Sequence, residues 1–166
     1  FLDLARSKGI ETHGLDLNPK AVTAAQAKGH DVHASTAEAF AQSHSGRQFS
    51  LVTAFEVMEH VPDPASTVEA CAQLAKAGGH VFFSTINRNP KAYLFAVIGA
   101  EYLLHLLPRG THDYAKFITP AELGALCRRS GLRVEAIIGM TYNPLTKIYA
   151  LGADASVNYI VHCVKD

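Results

Sequence analysis

Residues 49–64 read FSLVTAFEVMEHVPDP, and this stretch decides the fold. An apolar run over 51–55 meets Glu56, Glu59 and His60, and Pro62 and Pro64 then break the chain. In an open α/β sheet, ligands bind in the crevice beyond the carboxyl ends of the strands. A buried strand that ends in two carboxylates and an imidazole therefore points its chemistry at that crevice.

Working outward, residues 64–76 predict a helix closed by Ala77-Gly78-Gly79. Residues 80–86, HVFFSTI, lack polar alternation at their centre, as a strand covered on both faces should. Upstream, 2–8 read as a helix tail stopped at Gly9, and 11–17 as a short strand holding Asp16. Asn18 is a good N-cap and Pro19 suits a first turn, so a helix follows and runs to Gly29. A strand at 31–34 and a helical turn or two at 37–43 come next. Downstream, Thr119 caps a helix over 120–130, and 132–140 and 157–164 are the last predicted strands. Strand and helix alternate with short turns, which predicts an α/β fold with a mostly parallel, doubly wound sheet.

Residues 92–107, AYLFAVIGAEYLLHLL, break that alternation as an inserted apolar helix at about 90–108. The run is short for a membrane span and carries Glu101 and His105. It reads either as a core helix or as a lid or interfacial helix over an apolar substrate. Arg88, Lys91 and Arg109 flank it, as a helix lying on anionic lipid would want.

At 166 residues, one domain spanning 1–166 is expected. With 48% hydrophobic and 18% charged residues the chain can build a core and is not of disordered composition. Lys+Arg and Asp+Glu are both 15, with no basic stripe interleaved with aromatics, which argues against nucleic-acid binding. Cys71, Cys127 and Cys163 form no CxxC and read as buried thiols of a reducing compartment. The start, FLDLARSKG, is not a signal peptide. It opens in mid-pattern without an initiator Met, as an N-terminally incomplete chain would. The nine histidines are scattered, and only His60 and His112 sit in suggestive company.

Asp16 closes a strand of a Rossmann-like unit, where an acid accepts hydrogen bonds from ribose hydroxyls. The alternative is an N-cap carboxylate for the helix at Asn18, and both can hold. Phe55 can stack on an adenine or serve as a plain core aromatic. Glu56, Glu59 and His60 can hold a divalent metal, and hard oxygen ligands suit Mg²⁺. Such a metal would bind a catechol-like substrate and acidify its hydroxyl. Alternatively His60 is a general base without metal, or Glu59 and His60 cap the next helix and line a polar pocket. Asn87, Arg88 and Asn89 follow the strand at 80–86, as substrate contacts or a solvated turn. His112 and Asp113 either fold over the substrate or belong to an ordinary polar loop. A nicotinamide-dependent oxidoreductase is the competing enzyme class, but no Tyr-x-x-x-Lys is present. A lipid-binding domain that keeps the fold without catalysis is the competing non-enzyme.

The segments LDLNPKAV, FEVMEHVPDP, AGGHVFFSTINRNPKAY, GAEYLLHLLPRGTHDYAKFITPAEL and GMTYNPLTKIYALGADASVNYIVHC resemble the UbiG-type ubiquinone-biosynthesis O-methyltransferases. The resemblance covers essentially the whole chain. The EHVPDP element is common to many class I methyltransferases, whereas STINRNPKAY, GTHDYAKFI and YNPLTKIYALG are far more specific. It implies a Rossmann-like class I methyltransferase fold with an antiparallel C-terminal strand, here lacking the first strand and its glycine-rich loop. It implies methyl transfer from S-adenosyl-L-methionine to a hydroxyl of a polyprenylated phenol or catechol. Asp16 and Phe55 match the family's cofactor-binding positions. Glu56, Glu59 and His60 match positions described as binding Mg²⁺, with His60 and Glu59 as the catalytic candidates. It also implies peripheral contact with membrane lipid and with other ubiquinone-biosynthesis proteins. The setting is then the cytoplasmic face of the inner membrane, or the matrix side in a mitochondrion.

Overall fold

The computed structural model describes residues 1–94, 113–143, 146 and 148–166. They fall into two compact units, Phe1–Gly46 and Arg47–Asp166.

The first unit runs α1 (Leu2–Ser7), β1 (His13–Leu15), α2 (Pro19–Ala27), β2 (Asp31–His33) and α3 (Ala37–Ser43). Its caps follow the sequence. Asn18 Oδ1 accepts from the Lys20 amide at 3.0 Å, and Thr36 Oγ1 from the Ala39 amide at 3.1 Å. Each satisfies one of the donors a helix start leaves open. Gly29, at φ +78, reverses the chain after α2 into β2. β1 and β2 pair in parallel, with His13 opposite Asp31 and Leu15 opposite His33. Val22, Val32, Phe40 and Ala41 are buried. α1 is tied in by charge: Asp3 lies 3.0 Å from Lys28 Nζ and 2.7 Å from His30 Nε2.

The second unit runs β3 (Phe49–Phe55), α4 (Pro64–Leu74), β4 (Ala75–Ile86) and α5 (Pro90–Ala92). A 3-10 turn (Tyr114–Lys116), α6 (Pro120–Arg129), β5 (Leu132–Asn143), β6 (Ile148–Gly152) and β7 (Asn158–Lys165) complete it. The strand order is β3-β4-β7-β5-β6. β3 and β4 are parallel, and β7 runs antiparallel to both β4 and β5. β3, β4 and β5 therefore point one way, and the C-terminal strand inserted between β4 and β5 points the other. Every second residue of β7 is buried, with Tyr159, Val161 and Cys163 at 0% exposure. Val68 of α4 and Leu123 of α6 are buried as fully. Cys71, Cys127 and Cys163 are all buried, as their spacing predicts.

Three details differ from expectation. α4 ends at Leu74, and β4 begins at once and passes through Ala77-Gly78-Gly79. Phe49 pairs with Ala75, the register then shifts, and Leu51 pairs with His80; Gly78, at φ +70, lies within the irregularity. β6 is an extra strand, hairpinned onto β5 from Asn143 opposite Ile148 to Gly139 opposite Gly152. All five of its residues are exposed, so no burial rhythm marks it in the sequence. Of the apolar stretch 92–107, residues 95–107 lie outside the described residues. Ala92 is buried, while Tyr93 and Leu94 are exposed. Among the described residues no helix is long and apolar enough to cross a membrane.

Candidate active site

β3 delivers the chain to its carboxyl end at Phe55, opposite Ser84 of β4. The next residue, Glu56, sits at φ +53, the left-handed region that non-glycine residues rarely adopt. Ser84 holds it there from two sides. The Glu56 amide donates to Ser84 Oγ at 2.9 Å, and that hydroxyl donates to Glu56 Oε1 at 2.9 Å. Strained backbone of this kind costs about 1–3 kcal/mol and persists only where the surroundings over-determine it.

Glu59 is buried. Its Oε2 accepts from Thr85 Oγ1 at 2.8 Å, and its Oε1 is buried without a donor among the described residues. His60 is exposed, its amide closing a turn onto Val57 O at 2.9 Å. Neither residue caps α4. That role falls to Asp63, whose Oδ1 accepts from the Ala65 amide at 3.0 Å, with Pro64 in the first turn.

Phe55 and Glu56 line a cavity of about 350 Å³, together with Ser84, Met140, Tyr149 and Asn158. Phe55 is 40% exposed at this lip. A second cavity of about 520 Å³ is lined by Met58, Pro62, Arg88, Lys116 and Phe117, among others.

The remaining candidates turn out to be engaged. Asn87 Nδ2 donates to Ala155 O at 2.9 Å, Asn89 Nδ2 to Ser156 O at 2.7 Å, and Lys91 Nζ pairs with Asp154 at 2.9 Å. These three pin the loop before β7. Arg88 pairs with Glu122 and donates to Phe117 O. The basic flank that suited a lipid surface is thus occupied by carboxylates at Arg88 and Lys91. Asp113 Oδ1 accepts from the Ala115 amide at 3.0 Å and caps the 3-10 turn; His112 lies outside the described residues.

Asp16 stands exposed just beyond β1 in the first unit. Its amide donates to His33 O, and its Oδ1 accepts from the Asn18 amide at 2.8 Å. One carboxylate oxygen thus shapes the turn into α2. Asp16 is not itself the N-cap of α2; Asn18 holds that place.

The Mg²⁺ set is a different matter. Among the described residues, Glu56, Glu59 and His60 do not bring one ligand atom each within 4.8 Å of one another. Glu56 is turned to Ser84, Glu59 is buried on Thr85, and His60 faces solvent. Three residues as arranged do not fit a shared ion.

Ser84 and Thr85 went unrecognised in the sequence. The signal was present: two hydroxyls inside the apolar run HVFFSTI need partners once buried.

A family model described as "Methyltransferase domain" matches residues 1–137. The chain is 58% identical to the ubiquinone biosynthesis O-methyltransferase of Aromatoleum aromaticum, over 93% of this chain and 68% of that protein. The protein of the same name from Azoarcus is 57% identical, over 95% and 70%. This chain belongs to the ubiquinone biosynthesis O-methyltransferase family. It spans about two thirds of the length of these two family members. Solved structures agree on the fold. A SAM-dependent methyltransferase from Archaeoglobus fulgidus gives a TM-score of 0.72 at 21% identity, covering 99% of this chain and 80% of that one. A SAM-dependent methyltransferase from Thermotoga maritima gives 0.68 at 17%, covering 98% and 76%.

Proposed function

We propose that this family member transfers a methyl group from S-adenosyl-L-methionine to the hydroxyl of a polyprenylated phenol or catechol. The observation that carries this reading is the 58% identity, over 93% of the chain, to a protein named for that pathway and reaction. The geometry of the second unit is compatible with it.

When bound, the cofactor supplies an electrophilic methyl group on a sulfonium. The residues here have to position, desolvate and deprotonate. By likeness to the family, Asp16 and Phe55 are the residues that would serve cofactor binding, each from its own unit. The 350 Å³ cavity beside Phe55 and Glu56 takes the phenolic ring, with Met140 and Tyr149 as its apolar wall. Glu56, fixed by Ser84, orients the hydroxyl at the cavity wall, and His60, exposed on the turn that follows and not part of that wall, is the proposed base, reached from the phenol through an intervening water. Alignment of donor and acceptor is worth roughly 7–11 kcal/mol in such displacements, and a positioned base about 10²–10⁴ in rate. No step runs through Mg²⁺, since the three residues do not gather.

The prenyl tail needs an apolar route, each buried CH₂ contributing about 0.8 kcal/mol. The apolar stretch 92–107 supports peripheral contact with lipid, as do the exposed Tyr93 and Leu94 at its start. Liposome flotation checks this. Leu103→Glu with Leu106→Glu should abolish flotation, and equal binding by both proteins would refute the contact.

The test of function is methyl transfer from labelled S-adenosyl-L-methionine to a short-chain prenyl catechol, with and without EDTA. Transfer that survives chelation and falls about 10²–10⁴-fold in His60→Ala is expected. Folded chain that binds S-adenosylhomocysteine yet transfers nothing would overturn the reading. Loss under EDTA that Mg²⁺ alone restores would reinstate the metal.

A further inference from the structure

The β1–β2 sheet carries a constellation that methyl transfer does not use. Along a strand, residues two apart share a face, so Asp31 and His33 of β2 project together. The parallel register places His13 of β1 directly opposite Asp31. His13 Nδ1 lies 2.6 Å from Asp31 Oδ2, and His33 Nε2 lies 2.9 Å from Asp31 Oδ1. One ligand atom from each of the three falls within 4.8 Å of the others, and no other such group occurs among the described residues.

We infer that His13, Asp31 and His33 form a binding site for a Zn²⁺-like divalent transition metal, through His13 Nδ1, an Asp31 oxygen and His33 Nε2.

Four observations support it. The donor set is two imidazoles and one carboxylate, which suits zinc, nickel or copper rather than Mg²⁺. Zinc bonds of about 2.0–2.1 Å put tetrahedral ligand atoms roughly 3.3 Å apart, inside the 4.8 Å spread, so a small outward shift of Asp31 admits the ion. A metal-bound histidine usually donates its other ring N–H to a carboxylate. Here Glu11 Oε1 lies 3.3 Å from His13 Nε2, the nitrogen opposite the proposed ligand atom, in the place such a supporting carboxylate takes. Finally, His33 Nε2 is buried and makes no hydrogen bond of good geometry, despite its closeness to Asp31.

The surroundings suit a held ion. The His13 side chain is only 10% exposed, and the His33 ring packs 5.4 Å from that of Phe40. Asp31 is half-exposed, which gives an entry path and leaves the fourth position to water. Such an ion would clip β1 to β2 across a sheet only three residues long on each strand.

The experiment is a Zn²⁺ titration of the intact chain against a chromophoric chelator, in excess Mg²⁺, followed by Co²⁺ substitution. One equivalent of Zn²⁺ should bind, and Co²⁺ should give the intense visible bands of tetrahedral coordination. His13→Asn and His33→Asn should each weaken binding at least about a hundredfold, and Glu11→Gln about tenfold, as losses of ligands and of supporting groups do. Failure of the wild type to bind Zn²⁺, or an octahedral Co²⁺ spectrum, overturns the proposal without recourse to variants. So does unchanged affinity in both His variants, the result expected if the ion sits elsewhere, for example at His80 and His162 (2.9 Å between ring nitrogens).

Discussion

Thr85 is the sole hydrogen-bond donor to Glu59 among the described residues, at 2.8 Å and with both side chains buried. Thr85→Val keeps the shape and removes the donor, leaving a buried carboxyl with neither oxygen partnered. An abandoned buried group costs about 1–3 kcal/mol, more if charged. Thr85→Val should therefore unfold at clearly lower denaturant, while Thr85→Ser keeps the hydroxyl and stays near the wild type. Denaturant melts of the three proteins decide it, and equal midpoints for Thr85→Val and wild type would show the contact to be idle.

Glu56 separates strain from chemistry. At φ +53, glycine is at ease and alanine is not. Both Glu56→Gly and Glu56→Ala lose the carboxylate that Ser84 holds. The Gly variant should nevertheless be the more stable by about 1 kcal/mol, and both should lose methyl transfer alike. Calorimetric melting and rate assays give the two readings; an Ala variant as stable as the Gly variant would remove strain from the account.

Asp3 predicts an acid-sensitive step in the first unit. The hydrogen bond from His30, then that from Lys28, holds its carboxyl at about 2, below its ordinary 3.8. A carboxyl lowered by folding contributes stability above the unfolded value and loses it as pH falls through the folded one. The contribution is thus whole above pH 3.8 and is lost as pH falls towards 2. Asp3→Asn should flatten that part of the stability–pH curve and leave its shape at higher pH unchanged. An identical acid limb in the variant would refute it.

Gly139 has no room for a side chain. A Cβ built there would lie 1.9 Å from Asp154 O and 2.3 Å from its carbonyl carbon. Gly139→Ala should push the 153–156 loop away and strain its ties to Asn87, Asn89 and Lys91. Overpacking of this kind typically costs about 1–3 kcal/mol, visible as a lower melting temperature. A melt superimposable on the wild type would show that the loop yields freely.

β3 was legible because an apolar run stopped at a charged residue, and α2 and α6 because Asn18-Pro19 and Thr119-Pro120 are local capping chemistry. α6 even completes the box, with Glu122 Oε2 accepting from the Thr119 amide at 2.9 Å. β6 was not legible, because a strand exposed at all five residues leaves no alternation. Glu56, Glu59 and His60 were visible as neighbours in sequence, yet three nearby residues on a tight turn diverge, and φ +53 at Glu56 is not a property the letters show. The histidines err in the opposite direction. His13 and His33 are twenty positions apart and looked scattered; only the parallel register of β1 and β2 brings them to one carboxylate.

The position of β7 has a consequence for how the chain acquires its shape. β7 follows the other four strands of its sheet in the chain, yet it is the middle strand of that sheet. Until it arrives, β4 has an open edge and β5 has only its hairpin partner. The ladder that joins them pairs His80 with Val164 and Leu132 with Lys165. Closing so large a loop is entropically expensive and slow compared with local pairing. A ribosome therefore releases two half-sheets before it releases the piece that joins them, and in that interval the nascent chain is most exposed to wrong partners.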